Sequence, residues 1–368
     1  MTEKMVVTPW EVKGEIDYNR LIEKFGLQKM PKLPKDFDHY LFRRNIVFAQ
    51  RDFNLILDAI KKGRPFGMMT GLMPSGKFHF GHKLVADQII FYQKLGARVY
   101  IAVADIEAYC TRKPDLESLR NLAIEEYLVN YVALGLKPEN CDFYFQSERS
   151  SKGKRASAYY SLANMFSMNA TFSEFKAVYG KITPSKMSCS LLQASDMFHP
   201  QLPEFEGKIP VVVPVGVDQD PHIRLARDIA RRSKFDFLKV ASTYHTFMPG
   251  LKGGKMSSSD PNSYIALSDS PELAEKKIKK FAFSGGRATL EEHRKKGGIP
   301  EVDVAFQLLR YGLEPDDSNL KKIYDEYKSG RLLTSELKKI AIEKVKEFLK
   351  KHQLARERAR KKVGKFLR

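Results

Sequence analysis

The chain reads as an α/β protein: a Rossmann-like, doubly wound parallel sheet with a helical insertion and an all-helical C-terminal domain. Three observations predict this. Short apolar runs at Phe66–Thr70, Arg98–Ala104, Asp142–Gln146 and Ile209–Val215 have the length and continuous hydrophobicity of strands buried on both faces. Helical stretches at His82–Leu95, Leu116–Leu134 (ending in Gly135) and Pro221–Arg232 lie between them, an alternation that lays strands parallel and covers them with helices. Past Pro271 the strand pattern stops, and turns at Gly285-Gly286, Gly297-Gly298 and Pro315 separate helical segments.

In chain order, residues 1–60 read as an N-terminal extension. It holds the single tryptophan, Trp10, a helix candidate at Tyr18–Phe25 and a loop punctuated by Pro31, Pro34 and Asp36. A helical pattern, Phe53-Leu55-Ile56-Ala59-Ile60, then runs into Lys61-Lys62-Gly63, a helix stop. Residues 61–270 carry the alternating strands and helices, interrupted at about 147–200. That insertion opens with a basic, polar loop, Arg149–Ser157, followed by helices at Ala158–Met168 and Pro184–Pro200. Residues 271–368 form the helical C-terminal domain. Its end, from Lys338 to Arg368, has 13 Lys or Arg against 3 Glu. It is either a solvated charged helix or a surface for a nucleic-acid backbone.

The whole chain of 368 residues has 63 Lys and Arg against 44 Asp and Glu, a net charge of +19. Such a balance fits a partner bearing phosphates, or equally the charged surface of a thermophile. No apolar run approaches the roughly 18 residues of a membrane span, so no membrane association is expected. Cys110, Cys141 and Cys189 are scattered thiols, neither a disulfide framework nor a zinc pattern. A reducing, cytoplasmic setting is expected.

The chemistry concentrates at strand ends. After Met69 comes Gly71-Leu72-Met73-Pro74-Ser75-Gly76-Lys77-Phe78-His79-Phe80-Gly81-His82. This loop would present backbone N–H groups, a helix N-terminus and two imidazoles to an anion. Gly71 to Lys77 spells most of a P-loop, but Phe78 stands where Ser or Thr would hold magnesium, and Pro74 removes a donor. A second phosphate motif lies far downstream, Gly250-Leu251-Lys252-Gly253-Gly254-Lys255-Met256-Ser257-Ser258-Ser259, a mobile glycine-rich loop with a cation and hydroxyl donors. Gly216-Val217-Asp218-Gln219-Asp220-Pro221 clusters polar groups at another strand end, although Asp-x-x-Pro would cap any helix. On the second insertion helix, Gln193 and Asp196 share a face. Asp196 is either a core hydrogen-bond acceptor or a ligand group.

His79-Phe80-Gly81-His82 followed about 170 residues later by Lys255-Met256-Ser257-Ser258-Ser259 resembles the paired signatures of class I aminoacyl-tRNA synthetases. Asp218-Gln219-Asp220-Pro221-His222-Ile223-Arg224-Leu225, Ala282-Phe283-Ser284-Gly285-Gly286-Arg287, and Thr8-Pro9-Trp10 through Leu41-Phe42-Arg43-Arg44 resemble the tryptophanyl-tRNA synthetases of archaeal and eukaryotic type, over nearly the whole chain. The resemblance implies activation of L-tryptophan by ATP, with Mg2+ accompanying the nucleotide, and transfer to tRNA(Trp). It implies a homodimer and makes 271–368 the tRNA (anticodon)-binding domain. His79, His82 and Lys255 become the catalytic residues. The ATP-binding set becomes Gly71, Pro74, Ser75, His79, Gly81, His82, Gly216, Asp218, Lys255, Met256, Ser257 and Ser258, with no metal site on the protein itself.

Selection of the amino acid departs from part of the family. Eukaryotic relatives grip the indole nitrogen with a Tyr and a Gln, where this chain has Met69 and Ala102. Gln193-Ala194-Ser195-Asp196 instead resembles the bacterial enzymes, whose Asp accepts from the indole N–H. The implied tryptophan-binding set is Glu107, Gln193, Asp196 and Gln219, while Lys252 stands where eukaryotic relatives place a Gln on the amino group. The nearest alternative is a tyrosyl-tRNA synthetase of the same class, because an Asp at that place also reads a phenol.

Overall fold

The structure is a computed structural model and describes residues 6–7, 12–13, 17–112, 115–149, 153–254, 256 and 260–367. Its centre is a seven-stranded sheet: β1 (Gln28–Lys29), β2 (Val47–Arg51), β3 (Gly67–Leu72), β4 (Arg98–Val103), β5 (Cys141–Phe145), β6 (Val211–Gly216) and β7 (Ala241–His245), in the order β1-β2-β7-β6-β3-β4-β5. From β7 to β5 all neighbours are parallel, and β2 and β1 extend the β7 side antiparallel. A separate two-stranded ribbon pairs Val6–Val7 with Val12–Lys13.

Strict alternation along the strands feeds two cores. Met68, Val99, Ile101, Val103, Phe143, Phe145 and Val212 point to one, which also takes Leu84 and Ile89 of the helix Phe80–Lys94. Met69, Tyr100, Ala102, Tyr144, Val211 and Val213 point to the other, against Tyr159, Leu162, Leu192 and Ile223 from the helices Gly153–Phe166, Pro184–Phe198 and Asp220–Arg232. Both faces are covered, which explains why these strands read as unbroken apolar runs.

The four strands expected from the sequence appear within two residues of their boundaries. So do the helices Tyr18–Phe25, capped by Asp17 and ended by Gly26 at φ 61°, and Asn54–Lys61. The stretch expected as one helix at Leu116–Leu134 is continuous, with a widened π-type segment at Ala123–Leu128 and a stop at Gly135. Two corrections follow. The basic loop expected at Arg149–Ser157 gives way to helix at Gly153. Three strands of the sheet, β1, β2 and β7, and the two of the ribbon were not anticipated. In β7 Ser242, Thr243, Tyr244 and His245 are all buried, so its polarity hid it. Ser242 Oγ donates to Tyr244 OH, and His245 Nδ1 meets Gln88 Nε2 at 3.2 Å.

Beyond β7 the described residues form helices and turns. The last helix, Thr334–Arg360, buries Leu337, Ala341, Val345, Leu349 and His352, a stripe at helical spacing. His352 Nε2 lies 2.7 Å from Asn130 Oδ1, and Phe348 packs on Phe80 with ring centroids 5.4 Å apart. The basic helix therefore docks one face on the sheet and its helices. It turns Lys338, Lys344 and Lys346 to the Ala282 carbonyl, Glu314 and Glu275, and leaves Lys339, Lys350 and Lys351 outward.

One buried charge ties the antiparallel edge to the sheet. Asp220, wholly buried, accepts from Arg51 of β2 (3.0 and 3.1 Å) and from Tyr244 of β7 (2.5 Å), and pairs with Arg224 (3.0 Å). Removing one partner of such a cluster strands the other charge. Asp220→Ala is expected to cost about 3–5 kcal/mol, read by denaturant unfolding; a loss below ~1 kcal/mol would contradict this account.

Candidate active site

β3 and β6 pair only at Gly67 with Val211 and Met68 with Val212, whereas β3 and β4 pair along all six residues. Beyond Met68 the two strands part, and Pro214 has no N–H with which to continue a ladder. The parting opens a cleft of about 470 Å3 at the carboxyl ends of the parallel strands, where the strand order reverses. It is lined by Met69, Gly71, His79, Gly81, His82, Glu107, Gln193, Asp196, Gly216, Asp218, Gln219 and Met256, together with Gln146, His222 and His245.

Helix capping sets the chemistry of the two signature histidines. His79 is the N-cap of the helix Phe80–Lys94, and its Nδ1 accepts from the Gly81 N–H (3.1 Å). His82 Nδ1 accepts in turn from the His79 N–H (3.2 Å), and the rings stack at 3.8 Å. An Nδ1 that accepts carries no proton, so each neutral ring bears its hydrogen on Nε2. Burial pushes the His79 pKa down to about 4 and that of His82 well below the usual imidazole range, with His79 adding to the effect. At neutral pH the pair is two uncharged N–H donors at a helix N-terminus, a fitting cradle for phosphate.

The glycines are space requirements. A Cβ on Gly81 would stand 2.9 Å from the His79 ring and 3.3 Å from Met256 Sδ, and one on Gly216 would stand 2.5 Å from Asp218 Oδ1. Gly71 opens onto empty space. Pro74 and Ser75 are not brought to the cleft wall: Pro74 is buried behind it, and the Ser75 backbone exchanges hydrogen bonds with Tyr127 OH (3.2 and 2.9 Å). Lys255, Ser257 and Ser258 lie outside the described residues. The base of their loop is described: Leu251 N donates to Ser263 O (2.7 Å), Leu267 N to Phe78 O (2.8 Å), and Ala266 bridges to His79. Met256, the one described residue of the second signature, thus stands at the same rim as His79 and Gly81. Lys252 is turned to Asp260 (2.7 Å) and is absent from the wall.

The far end of the cleft is a buried polar cluster. Asp196 Oδ1 accepts from Tyr144 OH (2.7 Å) and Tyr159 OH (2.8 Å), and Oδ2 from Gln146 Nε2 (2.7 Å). Burial pushes its pKa up to about 6 against the pull of these donors and of Arg149. Glu107, also in the wall, is raised by burial. Ala102 is fully buried in the core beside Tyr144 and Tyr159. Sequence reasoning missed Tyr144, Gln146 and Tyr159. Gln146 directly follows the last residue of β5, and position at a strand's carboxyl end was the available signal.

Burial also pushes His222 and His245 down to about 4. Free imidazoles titrate near ~6.5. Between those values the unfolded chain binds protons that the native one refuses, so stability is intact above ~6.5 and falls with pH. Asp196 and Glu107, raised by burial, act in the opposite sense, but they stand against seven imidazoles that burial holds neutral, His39, His79, His82, His199, His222, His245 and His352. Thermal midpoints are expected to decline steeply from about pH 6 to pH 4; a rise over that window would contradict the buried neutral pairs.

The model of the class I tRNA synthetases (W and Y) matches residues 61–350. A tryptophan–tRNA ligase of Aeropyrum pernix is 46% identical, over 96% of this chain and 95% of the relative. One of Methanocaldococcus jannaschii is also 46% identical, over 99% and 98%. The crystal structure of the tryptophanyl-tRNA synthetase from A. pernix superposes with a TM-score of 0.88, covering 94% of each chain. That from Encephalitozoon cuniculi bound to tryptophan gives 0.82 at 32% identity, covering 94% and 95%. Tryptophan, and not the tyrosine left open by Asp196, is the amino acid these relatives carry in their names. With the family model matched over residues 61–350 and relatives of this likeness along its full length, the chain belongs to the tryptophanyl-tRNA synthetase family of class I aminoacyl-tRNA synthetases.

Proposed function

We propose that the cleft joins L-tryptophan to ATP and passes the activated amino acid to tRNA(Trp). The observation that carries this is the cleft's polarity. Two neutral Nε2–H donors stand at one end, and an acceptor-rich cluster around Asp196 stands at the other.

The tryptophan carboxylate attacks the α-phosphorus and pyrophosphate leaves. No enzyme nucleophile is needed, so alignment and charge stabilisation carry the step. His79 and His82 donate to phosphate oxygens, and Gly81 leaves room for the adenine. Gly71, Gly216 and Asp218 border the nucleotide. Lys255, with Ser257 and Ser258, meets the pyrophosphate as its charge grows, on a loop whose base adjoins His79. Magnesium belongs to the ATP substrate and shares the phosphate charge; the residues described include no cluster of three His, Cys, Asp or Glu for a resident ion. Glu107, Gln193 and Gln219 take the α-ammonium and carboxylate, and Asp196 anchors the reading of the indole nitrogen. In the second step a hydroxyl of the terminal adenosine attacks the acyl carbon and AMP leaves.

Residues 271–368 serve as the tRNA (anticodon)-binding domain. Exposed Phe283 beside Gly285-Gly286-Arg287 offers a stacking surface, exposed Leu290, Ile299 and Val302 offer apolar contact, and the outward Lys339, Lys350 and Lys351 of the last helix suit a phosphate backbone. Exposed Met165, Met168 and Phe172 on the insertion suit contact with a second copy in a homodimer. Three unbridged cysteines fit a cytoplasmic setting.

ATP–pyrophosphate exchange measured with each amino acid is expected to depend on tryptophan; dependence on tyrosine, or on no amino acid, would overturn the reading. Asp196→Ala is expected to raise the tryptophan KM on the order of 10- to 100-fold and to relax rejection of phenylalanine. An unchanged KM would remove Asp196 from selection.

A further inference from the structure

Among the described residues, the three side chains bonded to Asp196 leave one acceptor without a partner, Gln146 Oε1. The carboxylate fixes the Gln146 amide, because a carboxylate only accepts and Nε2 must face it at 2.7 Å. Oε1 therefore points away from Asp196. It is buried and has no hydrogen-bond donor, in a side chain only 2% exposed that lines the cleft with Asp196, Met69 and Gln193. An acceptor left so has given up its hydration without return, and a donor on the ligand would recover that loss.

The residue is held on every side. Its backbone N–H donates to Val103 O (3.0 Å), its carbonyl accepts from Tyr160 OH (2.6 Å), and the next residue, Ser147, donates its N–H to Asp105 Oδ1 (3.1 Å). Such a group costs little to order when ligand arrives. Asp196 itself is nearly saturated: Oδ1 already takes two hydroxyl hydrogens, and Oδ2 takes Nε2.

We propose that Gln146 Oε1 accepts the indole N–H of the substrate, with Asp196 as the positioning residue that fixes the amide. This rests on the reading that the cleft activates tryptophan, and it names the atom that meets the substrate. The indole nitrogen is a donor only and matches an acceptor without demanding a donor in return. Phenylalanine leaves Oε1 orphaned. A tyrosine phenol brings an oxygen that seeks a donor, and both hydroxyls bonded to Asp196 have already given their hydrogens to it.

The test is a substrate–enzyme cycle in ATP–pyrophosphate exchange, using the full chain with tryptophan and with 3-(benzothiophen-3-yl)alanine, in which sulfur replaces N–H. Gln146→Leu is expected to raise the KM for tryptophan about 10- to 100-fold and to leave that for the sulfur analogue unchanged or lower. Asp196→Asn lets the Gln146 amide turn, and is expected to lower the same preference through KM with kcat retained. Equal losses for both substrates would mean a structural role, and an unchanged preference in Gln146→Leu would place the acceptor elsewhere; either overturns the proposal. If Gln146→Leu loses its cooperative thermal transition, Gln146→Met carries the same comparison. Absence of tryptophan-dependent exchange in the unsubstituted chain overturns the parent reading, and is seen before any variant is made.

Discussion

The parting of β3 from β6 after two paired residues is the constraint on which the site depends. A fully paired sheet would have sent its backbone groups to neighbouring strands and left no crevice. Here the edge of β3 facing β6 loses its partner beyond Met68, just where Gly71 and the loop to His79 begin. β4 holds the other edge in register over all six residues. The strand is therefore rigid on one side and open on the other. The floor of the cleft is then made of strand carboxyl ends whose opposite ends are locked in a core, and the insertion helix Pro184–Phe198 closes its far side with Gln193 and Asp196.

Within that cleft, burial does work that charge could not. A protonated imidazole would attract phosphate more strongly, but two stacked cations 3.8 Å apart in an apolar wall would repel each other and lack solvation. The helix start resolves this by spending both Nδ1 atoms on backbone N–H groups. What remains for a ligand is one directed hydrogen on each Nε2. Orientation is fixed before substrate arrives, which is the condition for stabilising charge without reorganisation. The Asp196 cluster applies the same rule with the opposite sign: Tyr144 and Tyr159 hold one carboxylate oxygen, and the other fixes the orientation of the Gln146 amide.

Elements that obeyed a simple periodicity were legible in the sequence, and those that buried polar groups in pairs were not. β3 to β6 are apolar on both faces because both are covered. β7 is as deeply buried, but it satisfies Ser242, Tyr244 and His245 by side-chain hydrogen bonds, and no hydropathy pattern reports a bond to a residue such as Gln88, far away in sequence. The two signature motifs could be read because backbone and phosphate chemistry constrain local residues. Asp196 was visible as a polar group on a helix face. Gln146, Tyr144 and Tyr159 acquire meaning only when β5 and the insertion helix Gly153–Phe166 are folded onto Asp196. A site assembled across elements is local in space and not in sequence.

The C-terminal helix reaches the same helix start from the other side. Gln353 Nε2 donates to the Asp269 carbonyl (2.7 Å), and Asp269 Oδ2 accepts from the Ala266 N–H (3.0 Å) and from buried Lys277 (2.6 Å). Ala266 bridges to His79, and Phe348 of the same helix packs on Phe80, the next residue. The helix that carries much of the basic charge thus braces the cap of the helix that orients both histidines. Such contiguity is a brace and not in itself a switch, since nothing in it has two arrangements. Its physical consequence is narrower. Residues past 260 thus fix the rim beside His79, and the contacts at Phe80 and Asp269 tie that rim to the C-terminal helix.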